Sequence, residues 1–437
     1  MNRRDFLATG AGGALSSALH RPGGAASSED ERRRSGGPEG SRTIGGGAAI
    51  LQDVRSLFPR LDHEIFLNAA AGTPLSAFAQ HGLRQYEDFW RLGPGGGRSA
   101  AIGAMLDDTR AGLARLIGAQ AHEIAFVQCT KQGEQIVLDG LPALRDGGNI
   151  VTNDLHFAGS LHNLVGLQRT GVDVRIVRSE NWRTNVDAMA AAIDDATALV
   201  SVTLVSNVNG HIEPIREIAD IAHAHGAHVY ADIIQAAGIV PVDAPAMGID
   251  FAAGNGYKWL FGPHGTGFLY VRQELQGTVL EDELFPGHVR HNYAPWVDEP
   301  DPGQPALPFA ARTDAQRYQP GHVAYLCYAA VHEGLAFIDE VGVEDALAHS
   351  VALNQRLLAG LDAARYTCIS PHVDRSPIIT FRGPGRPRVA AALEASNVVV
   401  SLSPTEPQIR VSPAIFSNED DIDALIDLLN GAYLNGS

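Results

Sequence analysis

Two residues in this chain of 437 amino acids have the type and setting for covalent amine chemistry. Lys258 sits in Gly254-Asn255-Gly256-Tyr257-Lys258-Trp259-Leu260-Phe261-Gly262-Pro263, a lone cation among glycines and large apolar residues. A partly desolvated lysine beside another cationic group loses its proton more readily than a surface lysine and can attack a carbonyl carbon. Asp232 closes the apolar run Ala227-His228-Val229-Tyr230-Ala231-Asp232, which places a carboxylate at the end of a buried strand. Each also has a plainer reading: Asp232 as a helix amino cap, Lys258 as a solvated loop charge.

Elements able to position this pair follow from hydrophobic pattern. Short apolar runs at 124–127, 150–152, 172–177, 198–204, 228–231 and 267–271 read as strands, and 215–224 has helical spacing. Nearly continuous apolar strands alternating with helices predict a largely parallel sheet covered on both faces, hence an α/β domain with its ligand at the strands' carboxyl ends. Residues 281–311 are rich in Pro and Asp and read as a long surface loop. Beyond them, helical patterns at 323–339 and 345–361, strands at 378–381, 398–401 and 409–411, and a closing helix at 420–429 predict a second, smaller unit.

The formal net charge of −17 argues against a nucleic-acid partner and against anionic lipid, both of which call for a cationic surface. The three cysteines, Cys129, Cys327 and Cys368, lie in no metal-ligand spacing. His223, His225 and His228 straddle a helix end closed by Gly226, so no metal is expected. Gly93–Gly97 lacks the strand and downstream acid of a dinucleotide fingerprint. At the amino terminus, Asn2-Arg3-Arg4-Asp5-Phe6-Leu7 and the small-residue stretch after it resemble a twin-arginine export signal, too short and glycine-rich to be a membrane anchor in the mature chain. The expected division is a signal peptide at 1–26, a disordered Ser/Gly/Arg-rich linker at 27–50, a large domain at 51–310 and a small domain at 311–437.

The segments around Asp232 and Lys258 resemble the class V aminotransferase family of fold-type I pyridoxal-phosphate enzymes, with a pattern similar to the isopenicillin-N-epimerase-like branch and to exported pyoverdine-tailoring enzymes. The resemblance covers about 57–429. It implies pyridoxal 5'-phosphate as cofactor and a mostly parallel seven-stranded sheet between helices, plus a smaller carboxyl-terminal α+β domain. In that frame Lys258 bonds the cofactor aldehyde and moves the substrate's α proton, while Asp232 keeps the ring nitrogen protonated so that the ring can draw electrons. His156, in Thr152-Asn153-Asp154-Leu155-His156-Phe157, takes the place of the aromatic that stacks on the ring. Asn207, in Val205-Ser206-Asn207-Val208-Asn209-Gly210, is placed on the phenolic oxygen with Gln235 assisting. Thr130, with Lys131, opens the helix whose amides bind the phosphate, and Tyr257 can donate to it. Arg410, in Gln408-Ile409-Arg410-Val411-Ser412-Pro413, matches the arginine for the substrate carboxylate, and Asn68 joins it.

Together, the family resemblance and the twin-arginine leader imply an enzyme exported by the Tat machinery, periplasmic or secreted. It would act at the α carbon of an amino acid or peptidic amine by transamination or epimerisation, as a homodimer with shared sites. Tailoring of a siderophore or another natural product is the narrower expectation. Carbon–sulfur lysis is the alternative, and a non-catalytic cofactor-bearing binding protein is the alternative of another class. Tyrosine before Lys258, where desulfurase-like members carry histidine and kynureninase-type relatives tyrosine, and the lack of any cysteine beyond Cys368 steer the reading away from persulfide chemistry and desulfuration.

Overall fold

The structure, a computed structural model, describes residues 54–281, 284, 288–289, 309–310, 312–383 and 386–431. The expected export signal, the whole of the expected linker and most of the expected 281–311 loop lie outside the described residues.

The centre is a seven-stranded sheet built of β2 (Ile124–Val127), β3 (Asn149–Asn153), β4 (Val174–Val177), β5 (Thr197–Thr203), β6 (His228–Asp232), β7 (Phe251–Asn255) and β8 (Gly267–Val271), after a short amino-terminal β1 (Ile65–Phe66). Its order is β2-β8-β7-β6-β5-β3-β4. Neighbours from β7 through β4 run parallel, while β8 runs antiparallel to β2 and β7. Strands β2, β3, β5, β7 and β8 are buried at every position, as a sheet covered on both faces requires. The sequence pattern misses β7, because Phe-Ala-Ala-Gly-Asn carries little β-branched bulk. Burial between β6 and β8 makes it a strand regardless.

Helices α1 (Ala77–Leu92), α2 (Arg98–Leu116), α3 (Thr130–Gly140), α4 (Ala158–Arg169), α5 (Val186–Ala192), α6 (Ile215–Ala224) and α7 (Tyr325–Val341) accompany the sheet. Ser76 caps α1 by accepting the amide of Ala79. The α7 helix, expected at 323–339 in the small unit, packs on α1 and α2 instead. A methyl on Gly82 of α1 would collide with the Ala329 carbonyl, so the two helices touch through backbone there.

The smaller unit holds α8 (Val343–Gly360), α9 (Arg386–Ala395), α10 (Glu419–Gly431) and an antiparallel sheet. That sheet joins Thr367–Cys368, Ile379–Arg382, Gln408–Val411 and Ser401–Leu402 in this order. The expected strand at 398–401 divides: Val398–Val399 pairs in parallel with β1, while Ser401–Leu402 joins the small sheet. Its separate core draws in Leu67 from the segment after β1, so the amino-terminal part of the described chain is anchored in the carboxyl-terminal unit.

Candidate active site

The candidate side chains gather at the carboxyl-terminal edge of the parallel strands, where loops leave a covered sheet and polar groups can face a ligand. A cavity of about 130 Å³ opens there, and Thr130, Lys131, Asn207, Asp232, Gln235, Tyr257 and Lys258 all line it. Asp232 ends β6, Lys258 follows β7 by three residues, Asn207 follows β5 and Thr130 opens α3 after β2.

Asp232 is 2% exposed, and its carboxylate accepts the amide of Ile234 at 2.9 Å. Burial raises its pKa to about 6 against the pull of that amide and of Lys258. Lys258 is 7% exposed; burial lowers its pKa to about 8, Asp232 opposing and Arg410 assisting. A fraction of Lys258 is therefore neutral near neutral pH and able to act as a nucleophile or base. Its main chain is fixed from outside the large sheet, since the Thr73 hydroxyl donates to the Lys258 carbonyl at 2.8 Å.

Arg410, on the small sheet, reaches across to the same edge. It donates to the Asn207 carbonyl at 2.8 Å and to Asn68 Oδ1 at 3.5 Å, while its Nε is buried with no partner among the described residues. Burial lowers its pKa to about 10, and no carboxylate pairs with it among the described residues. A largely desolvated guanidinium lacking an anion is a site for one. The structure brings Asn68 and Arg410 together.

Three more buried atoms without partners among the described residues point to what the cavity holds: Thr130 Oγ1, Asn207 Oδ1 and Asn255 Oδ1. Buried polar atoms are rarely left unpaired in a native protein, so a polar ligand is expected to meet them. These groups fit pyridoxal 5'-phosphate. Thr130 and the first amides of α3 suit its phosphate, Asn207 its phenolic oxygen, Asp232 its ring nitrogen and Lys258 its aldehyde.

Two expected residues sit differently. His156 does not line the cavity; it is 1% exposed, its Nδ1 accepts the Phe157 amide at 2.8 Å, and its Nε2 faces Ser201 Oγ at 3.3 Å. Of the two adjacent rings it is Phe157, 43% exposed, that lines the cavity, together with Tyr257. The turn closed by His156 N to the Asn153 carbonyl turns position 156 inward and 157 outward, a register of one residue that the shared loop pattern did not reveal. Gln235 lines the cavity, but its oxygen accepts from Trp259 Nε1 and its nitrogen donates to the Ala70 carbonyl, both at 2.9 Å. Its amide thus serves chiefly to tie the lysine loop to the Asn68–Ala71 turn. Sequence reasoning also passed over Asn255, Ser160 and Thr203 on the wall. Only Asn255 carried a signal, in Gly-Asn-Gly ahead of the lysine.

The loop that presents Asn207 is held from the small unit. Thr380 Oγ1 donates to the Val208 carbonyl at 2.9 Å and Ser370 Oγ to the Asn209 carbonyl at 2.6 Å, while Asn209 Nδ2 donates to the carbonyls of Trp182 and Ile369. Gly210 has φ of +71°, and a methyl there would run into the Ile378 carbonyl.

The sequence profile of the aminotransferase class-V family matches residues 94–425. A probable cysteine desulfurase of Methanothermobacter thermautotrophicus is 29% identical over 312 residues, covering 70% of this chain and 75% of that protein. One from Halobacterium salinarum is 27% identical over 350 residues, covering 75% and 80%. Among solved structures, the apo cysteine desulfurase of Thermococcus onnurineus NA1 superposes with a TM-score of 0.76 at 21% identity, covering 87% of this chain and 97% of that one. A cystine C–S lyase in complex with its product cysteine persulfide gives 0.73 at 20% identity, covering 85% and 99%. These structures share the fold, and the profile spans most of the chain, including the whole cavity wall and Arg410. The chain belongs to the class-V aminotransferase family, whose cofactor is pyridoxal 5'-phosphate.

Proposed function

We propose that this protein is a pyridoxal-phosphate enzyme that grips a small amino acid by its α-carboxylate and cleaves a carbon–sulfur bond at the β carbon. The observation that carries the amino-acid chemistry is that Lys258 and Asp232 share one cavity wall, while Arg410, bonded to the carbonyl of the wall residue Asn207, has no carboxylate partner among the described residues. Carbon–sulfur cleavage, the alternative at the sequence level, is favoured over transamination by relatives that are cysteine desulfurases.

When bound, pyridoxal phosphate supplies an aldehyde for the substrate amine and a ring that withdraws electrons from the α carbon. Arg410 and Asn68 orient the carboxylate, and a bidentate hold would set which α bond faces Lys258. Neutral Lys258 takes the α proton, the Cβ–S bond breaks, and sulfur leaves with the bonding pair. Asp232 keeps a proton at the ring nitrogen. Cys129 is the cysteine on the cavity wall, and it caps α3 beside Thr130. With the thiol at the phosphate end and no cysteine beyond Cys368, sulfur is released in solution and not carried on the enzyme. Incubation with cysteine and cystine tests this by the appearance of sulfide or persulfide together with pyruvate. Labelled sulfur retained on the protein as a covalent persulfide would contradict it.

A second reading, transamination or epimerisation, is favoured by Tyr257 immediately before the lysine. It predicts amino transfer to a keto acid, or α-hydrogen exchange in deuterated water, with no sulfur released. Export through the twin-arginine route rests on residues 1–26 alone, and a signal-cleaved product in the periplasmic or culture fraction tests it. The homodimer with shared sites is tested by sizing the purified protein.

A further inference from the structure

Beneath the cavity lies a set of buried polar groups that the proposed chemistry does not use. Glu134 is 1% exposed although it belongs to α3, and its neighbour Gly133 explains how it gets there. A methyl on Gly133 would come within 2.8 Å of the Ala253 Cβ on β7, so α3 settles onto the sheet at this point and carries Glu134 down with it. Ser201 pairs with Tyr230 and Thr203 with Asp232 across β5 and β6. Strand alternation puts Tyr230 and Asp232 on one face, the face that α3 covers.

The partners of Glu134 are incomplete. Asn163 Nδ2 donates to Oε2 at 3.2 Å and Ser160 also bonds the carboxyl, while Oε1 has no hydrogen-bond partner among the described residues and lies 4.0 Å from His156 Nε2. Because His156 Nδ1 accepts the Phe157 amide, the imidazole carries its proton on Nε2 when neutral. Burial holds it in that form by lowering its pKa to about 3. The Tyr230 hydroxyl is likewise buried and unpartnered among the described residues. The titratable groups around Glu134 are therefore His156 at the entry to α4, Tyr230 and Asp232 on β6, and Lys131 and Cys129 on or before α3. Of these Lys131 is exposed, with its Nζ donating to the Gly159 carbonyl.

We infer that Glu134 is a positioning residue acting through Asp232: a second buried carboxyl behind the first, with His156 Nε2 4.0 Å from its Oε1, which keeps the proton on the ring nitrogen of the bound cofactor. The physical ground is that a negative charge buried in a low-dielectric pocket strengthens the hold of nearby groups on a proton. Burial and the nearby Asp232 charge accordingly raise the pKa of Glu134 to about 7. A charged Glu134 adds a second negative charge behind the Asp232–pyridinium pair and makes that proton harder to remove.

This inference rests on the cofactor reading, and the experiment separates the two. Protein loaded with ¹⁵N-labelled pyridoxal phosphate is titrated, and the ring-nitrogen shift gives the midpoint at which the proton is lost. Glu134→Gln keeps shape and removes the charge; its midpoint is expected to fall at least one pH unit, a tenfold change in proton affinity. His156→Asn, which removes the imidazole lying 4.0 Å from Oε1, is expected to shift the midpoint the same way by less. It also serves if Glu134→Gln does not fold. Midpoints in either folded variant equal to wild type overturn the inference and leave the cofactor reading standing. A wild-type protein that takes up no cofactor overturns both.

Discussion

At the scale of single residues, the chemistry rests on groups held out of water at ionisation states they would not otherwise keep. Lys258, Asp232, Asn207 and Arg410 were legible in the sequence because each sits in a run whose neighbours are constrained as well, a strand end or a glycine-flanked turn. His156 was legible only as a position in a loop. Which of two adjacent side chains faces the cavity is decided by the turn back to Asn153, and it is Phe157. Arg410→Lys tests the carboxylate subsite. Loss of the guanidinium fork is expected to cost about 1.5–3 kcal/mol, or roughly 10- to 100-fold in kcat/KM for an amino acid. For the corresponding amine without a carboxylate the loss should be small, and an equal loss for both would show that Arg410 does not read the carboxylate.

At the scale of elements, the main sheet was readable as alternating apolar runs, and its least readable strand is the one that delivers the lysine. In β7, Ala252, Ala253 and Gly254 give way to close neighbours, with Gly254 lying against the Phe268 ring, so the sequence shows small residues where packing demands a strand. The antiparallel course of β8 and the division at 398–402 depend on pairings distant in sequence, which local pattern does not encode. The clamp between the small sheet and the Asn207 loop belongs to this scale as well. Gly210→Ala combines a left-handed backbone with a collision at Ile378, so a loss of about 1–3 kcal/mol is expected, read as a lower urea midpoint. Because the loop carries Asn207 and accepts from Arg410, cofactor affinity should fall in parallel. Unchanged affinity in a destabilised but folded variant would separate the clamp from the site.

For the whole molecule, a site assembled from two units shapes stability as well as function. Asp232 and Glu134 hold protons in the folded state up to about 6 and about 7 respectively, well above their ordinary range. The folded protein thus binds more protons than the unfolded chain between these limits; the stability from these two groups is complete below about pH 4 and is lost as pH rises through 6 to 7. Lys258, lowered to about 8, works the other way, with stability recovered as pH climbs from there toward its unfolded value. Urea midpoints of the cofactor-free protein should show a shallow minimum near pH 7–8. Asp232→Asn should flatten the acid side by on the order of 2 kcal/mol, whereas a variant profile parallel to wild type would remove Asp232 from this balance. Sheet, clamp and buried charges converge on one task, holding Lys258 against the aldehyde of one cofactor. Borohydride reduction of the protein loaded with pyridoxal phosphate, followed by peptide mass analysis, reads that bond itself: a reduced pyridoxyl adduct is expected on Lys258 and absent from Lys258→Ala, and an adduct confined to other lysines, or none, would refute the assignment.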